Sequence, residues 1–188
     1  LVDFLQKPII RGTMSCFIEF SKKQITLSGR QPTITLSCED NHTAVQALKT
    51  ALGNGCINID TLPDATQNFW NAFIPYTAAS LLSAATEKSI ATMTKTPEDR
   101  QAITDIINEL VFLARKSNVE ISSSEMLRKI YNIPYSYTYP LQQNPQNQHE
   151  LNRFFSVLAK GGEKEEQKTP LLRKLLTQIY NKNAGITG

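Results

Sequence analysis

Residues 12–38 read GTMSCFIEFSKKQITLSGRQPTITLSC, and their alternation sets the architecture of the N-terminal half. Met14, Cys16, Ile18 and Phe20 fall on one side of an extended chain, and Ser15, Phe17, Glu19 and Ser21 on the other. A period of two is the mark of a strand. Ser21, Lys22 and Lys23 make a polar turn. Gln24 to Ser28 is a second short strand, with Ile25 and Leu27 on one face. Gly29 to Pro32 breaks it, and Thr33 to Cys38 follows as a third strand carrying Ile34 and Leu36. The pattern predicts a short antiparallel meander.

Downstream, the period changes. Glu39, Asp40 and Asn41 are helix-capping residues, and Thr43 to Leu52 places Ala44, Val45, Leu48 and Leu52 on one helical face. Gly53, Asn54 and Gly55 stop that helix, and Cys56 to Ile59 reads as a short strand. Residues 60–68 form a polar turn. Phe69 to Ile74 is a strand or a helix entry that Pro75 stops, and Ala78 to Met93 is a Ser- and Thr-rich helix. The clearest helix spans 97–116. Thr96 caps it, Pro97 suits the first helical position, Glu98 and Asp99 suit its positive end, and Arg115 and Lys116 its negative end. Ser122 and Glu125 are spaced as a capping box for a helix to Tyr131. Two further helices are predicted, from Glu150 to Lys160 and from Pro170 to Tyr180.

The fold class that follows is α+β, with a small antiparallel sheet and packed helices in the N-terminal half and a helical C-terminal half. The expected segments are an α+β domain over 1–131, a linker rich in Pro, Gln and Asn over 132–148, and a helical extension over 149–188.

The 188 residues suffice for one core without metals or disulfides. Hydrophobic residues make up 40% and charged residues 20%, a globular composition in which no apolar run reaches the ~20 residues of a membrane span. Cys16, Cys38 and Cys56 are odd in number and form no CxxC, which predicts an intracellular, reducing compartment. His42 and His149 do not supply zinc-ligand spacing, no G-x-S-x-G elbow occurs, and Glu39–Asp40, Glu98–Asp99 and Glu165–Glu166 read as caps or solvated pairs. Gly53 to Gly55 follows a helix and precedes a strand, the reverse of what a nucleotide cradle requires. No catalytic residue, metal ligand or cofactor is expected.

Charge is more informative. Residues 121–188 carry nine Lys/Arg against five Asp/Glu. Lys22, Lys23 and Arg30 frame the meander, Lys7 and Arg11 precede it, and its outward face carries Gln24, Thr26, Ser28, Thr33 and Thr35. A polar sheet face framed by cations suits a nucleic-acid backbone. Arg173 and Lys174 on the last helix add a second basic patch.

The stretch from Gly12 to Ile59 resembles the LAGLIDADG homing endonuclease fold. The resemblance rests on PTITLSCEDN from Pro32, AVQALKTA from Ala44, and LGNGCI from Leu52 to Ile57. It implies a nucleic-acid-binding sheet of the kind also found in intron maturases. The family's metal-binding acid would fall on Arg11 or Ser21, and neither can hold Mg²⁺, so the resemblance implies a copy that does not cleave. The family spans a duplex with two such units, which implies a homodimer or reuse as a single binding module.

The expected function is therefore a catalytically inactive nucleic-acid-binding protein, with RNA favoured over DNA, associated with an intron or ribosome in a mitochondrion or plastid. One alternative is an assembly subunit that docks a protein partner through its amphipathic C-terminal helix. The other is an active metal-dependent endonuclease using Glu19 or Asp40.

Overall fold

The computed structural model describes residues 11–21, 24–37, 42–52, 57–133, 151, 152, 154, 156 and 169–183. The fold is α+β. Strand β1 spans Arg11–Ser21 and β2 spans Gln24–Ser37, paired antiparallel from Arg11↔Ser37 to Ser21↔Gln24. The two short strands expected at 24–28 and 33–38 are one long strand. Its register jumps from Ser15↔Thr33 to Phe17↔Ser28, so Gly29–Pro32 are the residues that drop out of the ladder. Proline has no N–H to donate there. The breaker signal was real, but it marks an irregularity within a strand and not an end.

The third strand, β3 (Asn58–Thr61), pairs with β2 in parallel, from Thr33↔Asn58 to Leu36↔Thr61. A parallel neighbour needs a crossover, and helix α1 (His42–Leu52) provides it. The sheet, ordered β1-β2-β3, is thus mixed and not a meander. Leu36, Val45 and Ile59 are at most 8% exposed and form its core, with Ile34, Leu48 and Ile57 packed around them. Each such side chain, once fully buried, contributes about 1.5–3 kcal/mol.

Helix α2 runs from Ala65 to Thr86. Asp64 starts it, its carboxylate accepting from the N–H groups of Thr66 (2.7 Å) and Gln67 (3.1 Å). The expected stop at Pro75 does not occur, and the helix continues through it. Every residue from Thr77 to Ala85 is buried. A helix enclosed all round gains enough from burial to carry the proline. Asn68 ties the start of α2 to both long strands. It accepts from the Thr13 hydroxyl at 2.7 Å and donates to the Thr35 carbonyl at 2.9 Å and the Ser37 hydroxyl at 3.3 Å.

The remaining helices are α3 (Ile90–Met93), α4 (Pro97–Lys116), α5 (Ser123–Tyr131) and α6 (Pro170–Asn183). The caps Thr96 and Ser122 stand where the sequence placed them, accepting from the N–H groups of Asp99 and Glu125. Ile103, Ile106, Ile107, Leu110, Met126, Ile130 and Phe154 are buried. The apolar face of α6 (Leu172, Leu175, Leu176 and Ile179) is buried too, so it is not the free docking stripe expected of it.

The chain groups into two compact units, Leu1–Ala72 and Phe73–Gly188, divided within α2. Of the linker 132–148, only Asn132 and Ile133 are among the described residues. No described helix is long and apolar enough to cross a membrane.

Candidate functional site

Among the described residues, three buried hydroxyls that the fold leaves unexplained lie on α2. Thr77, Ser80 and Ser83 are 1%, 0% and 0% exposed, and none of their hydroxyl oxygens has a hydrogen-bond partner. They stand at i, i+3 and i+6, so they are neighbours along one ridge of the helix. Thr86, on the same helix, shows the ordinary solution, donating to the Leu82 carbonyl at 2.7 Å. A buried hydroxyl without a partner costs about 1–3 kcal/mol. Three in one ridge are either a liability or a set of donors awaiting a ligand oxygen. The Ser- and Thr-rich reading of this helix contained the signal, but not the burial that gives it meaning. Between Asp64 and Glu87 the sequence holds no Asp, Glu, Lys, Arg or His, so α2 offers hydrogen bonds and no charge.

Acids in the helical unit serve helix ends. Glu109 on α4 is half-buried, and its two carboxylate oxygens accept from the backbone N–H groups of Leu171 (2.9 Å) and Leu172 (2.7 Å) at the start of α6. Burial pushes its carboxyl above the ordinary value, which the two N–H donors only partly offset, and Asp105 pushes it further up. At the C-terminal end of α2, Lys182 and Gln178 of α6 both donate to the Ala85 carbonyl, and Lys182 also pairs with Glu87 at 2.9 Å. Hydrogen bonding to Lys182 holds the Glu87 carboxyl below its ordinary range. Lys88 and Asp99 pair at 2.8 Å, and that bond, with a second to Thr96, lowers Asp99 likewise.

An open cleft of about 850 Å³ lies between α4 and α5, lined by Arg115, Asn118, Val119, Glu120, Ile121 and Ser122. All six come from one run of chain, and the Ser122 hydroxyl is engaged with Ser124 and the Glu125 N–H. No second element converges on a ligand there.

The expected basic residues fall as follows. Lys7, Lys22 and Lys23 lie outside the described residues. Arg11 opens β1, and Arg30 sits in the out-of-register part of β2. Lys174 is exposed on α6 and Arg173 half-buried beside it, in the other compact unit.

The fold has counterparts among solved structures. Over 95% of its length the chain matches a D-mandelate dehydrogenase crystallised with NADH, at TM-score 0.75 and 15% identity, covering 63% of that chain. It matches a 2-dehydropantoate 2-reductase from Geobacter metallireducens at TM-score 0.76 and 14% identity over 92% of its length, covering 60% of that protein. A dimeric ketopantoate reductase from Staphylococcus aureus gives TM-score 0.71 and 11% identity, with 95% and 62% covered. The chain thus spans about three-fifths of these structures. At such identities the likeness establishes fold alone. No family model and no curated protein matches the sequence.

This overturns the LAGLIDADG resemblance and, with it, the inactive RNA-binding reading and the homing-endonuclease alternative. The motif match was carried by a strand, a helix and a glycine stop, parts common to any βαβ unit. In this chain the parallel β2–α1–β3 crossover contains them.

A dinucleotide in such a fold needs a glycine-rich turn from a strand into a helix N-terminus. The sequence holds no G-x-G-x-x-G. Between β2 and α1, residues 38–41 are Cys-Glu-Asp-Asn, two acids and no glycine. These residues do not fit a pyrophosphate, which needs close backbone approach and no like charge.

Proposed function

We propose that this chain works in an oxidoreductase acting on small 2-oxo or 2-hydroxy acids, and that its helical unit supplies the substrate-facing groups. The observation that carries the reading is the fold likeness over nearly the whole chain to D-mandelate dehydrogenase and 2-dehydropantoate 2-reductase structures. The unpartnered hydroxyls of Thr77, Ser80 and Ser83 give it a chemistry, since an O–H donates to a carbonyl or carboxylate oxygen. They are covered in this structure, so the side chains over α2 must shift to admit a ligand.

Calorimetric titration of the full chain with mandelate and with 2-dehydropantoate tests this. Saturable binding is expected, weakened about three- to tenfold by Ser80→Ala, the value of one neutral hydrogen bond. If neither acid binds the wild-type chain, the reading fails.

A further inference from the structure

Phosphate groups of a dinucleotide commonly rest on a helix N-terminus, where free backbone N–H groups and the positive end of the helix dipole meet the anion. The starts of α2 to α6 are already served by the chain's own side chains. Asp64 takes the Thr66 and Gln67 N–H groups at the head of α2. Ser89 takes the Thr92 N–H at α3. Thr96 takes the Asp99 N–H at α4, with Glu98 and Asp99 in its first turn. Ser122 takes the Glu125 N–H at α5, again with an acid in the first turn. Glu109 reaches across from α4 to take both the Leu171 and Leu172 N–H groups of α6. Before α1, where the parallel crossover would put a nucleotide, the sequence has Glu39 and Asp40. From Pro32 to Leu52 the only Lys or Arg is Lys49, in the last turn of α1, at the wrong end to neutralise a phosphate.

We infer that these 188 residues hold no dinucleotide by themselves, so that any nicotinamide cofactor used with this chain is bound by residues beyond them. The physical cause is occupancy and sign. At α2 to α6 first-turn N–H groups already have acceptors, two of which, Asp64 and Glu109, are carboxylates that repel a phosphate, and before α1 the sequence itself places two acids. The fold neighbours leave room for such residues, since about two-fifths of their length has no counterpart in this chain. The inference rests on the proposed function only for the statement that a nicotinamide cofactor is involved.

The test is calorimetric titration of the full chain with NADH and with NADPH, each alone and with saturating mandelate. No saturable binding is expected up to about 1 mM dinucleotide. A saturable isotherm for either nucleotide overturns the inference and leaves the proposed function standing. Failure of mandelate and 2-dehydropantoate to bind, with no nucleotide binding either, sinks the proposed function and leaves the inference intact. Binding of an acid without binding of a nucleotide supports both.

Discussion

Ser80 can be tested twice, because its burial and its proposed role in binding move stability and affinity in opposite senses. Its hydroxyl is buried without a partner, so Ser80→Ala removes a desolvated group and leaves only a small space. The variant is expected to raise unfolding stability by about 1 kcal/mol in urea titrations while weakening acid binding. A Ser80→Ala protein that loses stability would show that the hydroxyl has a partner in solution. Glu109 behaves differently. Glu109→Ala strips two N–H groups of their acceptor at the start of α6 and is expected to cost about 1–2 kcal/mol. Its carboxyl is raised in the folded protein, so folding favours the protonated form. That contribution is complete below the ordinary carboxylate value and is lost as pH rises through the raised one. Glu109→Gln is expected to remove this decline from a profile of melting temperature against pH.

Among the elements, α2 and β2 both run through a proline that the sequence reads as a stop. In β2 the ladder skips Gly29–Pro32 and resumes. In α2 the helix continues because burial on every side outweighs a lost N–H and a steric clash. Pro75→Ala is expected to stabilise by about 2 kcal/mol, a helix-interior penalty of ~3 kcal/mol less the chain entropy that proline removes from the unfolded state. A loss of stability would show that the proline ring shapes packing around Phe73, Tyr76 and Phe154. Asn68 is the corresponding fastening in the sheet unit. Asn68→Ala abolishes three bonds at a site only 3% exposed, and a cost of about 2–3 kcal/mol is expected in denaturant melts. Helix α4 needed no such correction. Its cap, proline, acidic start, apolar stripe and basic end are local, and all of them stand as predicted.

For the protein as a whole, pH reports on how the helices are tied together. Asp99 and Glu87 are held below the ordinary range by Lys88 and Lys182. Their contribution is present above the ordinary carboxylate value and is lost as pH falls through their lowered values, opposite in sign to Glu109. Acid melts of Lys88→Met and Lys182→Met are expected to start from lower stability at neutral pH and to converge on wild type in acid. A constant offset at all pH values would mean that the lysine stems, not the pairs, carry the effect. Both pairs are partly exposed, so the neutral-pH difference is small and shrinks with salt.

Capping, periodicity and charge placement act within a few residues of chain, which is why helices 42–52, 97–116 and 123–131, the first strand and the α+β class were legible before any coordinates. The direction of β3, the passage of two elements through proline and the burial of the α6 stripe depend on what packs against each segment from far along the chain. A short strand carries the same residues whether its neighbour runs parallel or antiparallel. The candidate site shows the same division. Thr77, Ser80 and Ser83 are ordinary polar residues in sequence, and the basic residues around the hairpin looked more functional. Burial without partners distinguishes the hydroxyls, and burial is a property of the packed protein. The absence of a glycine-rich phosphate turn could be read directly from the sequence, because that turn is a local motif. That the start of α6 is already occupied could not be, since Glu109 reaches it from more than sixty residues away.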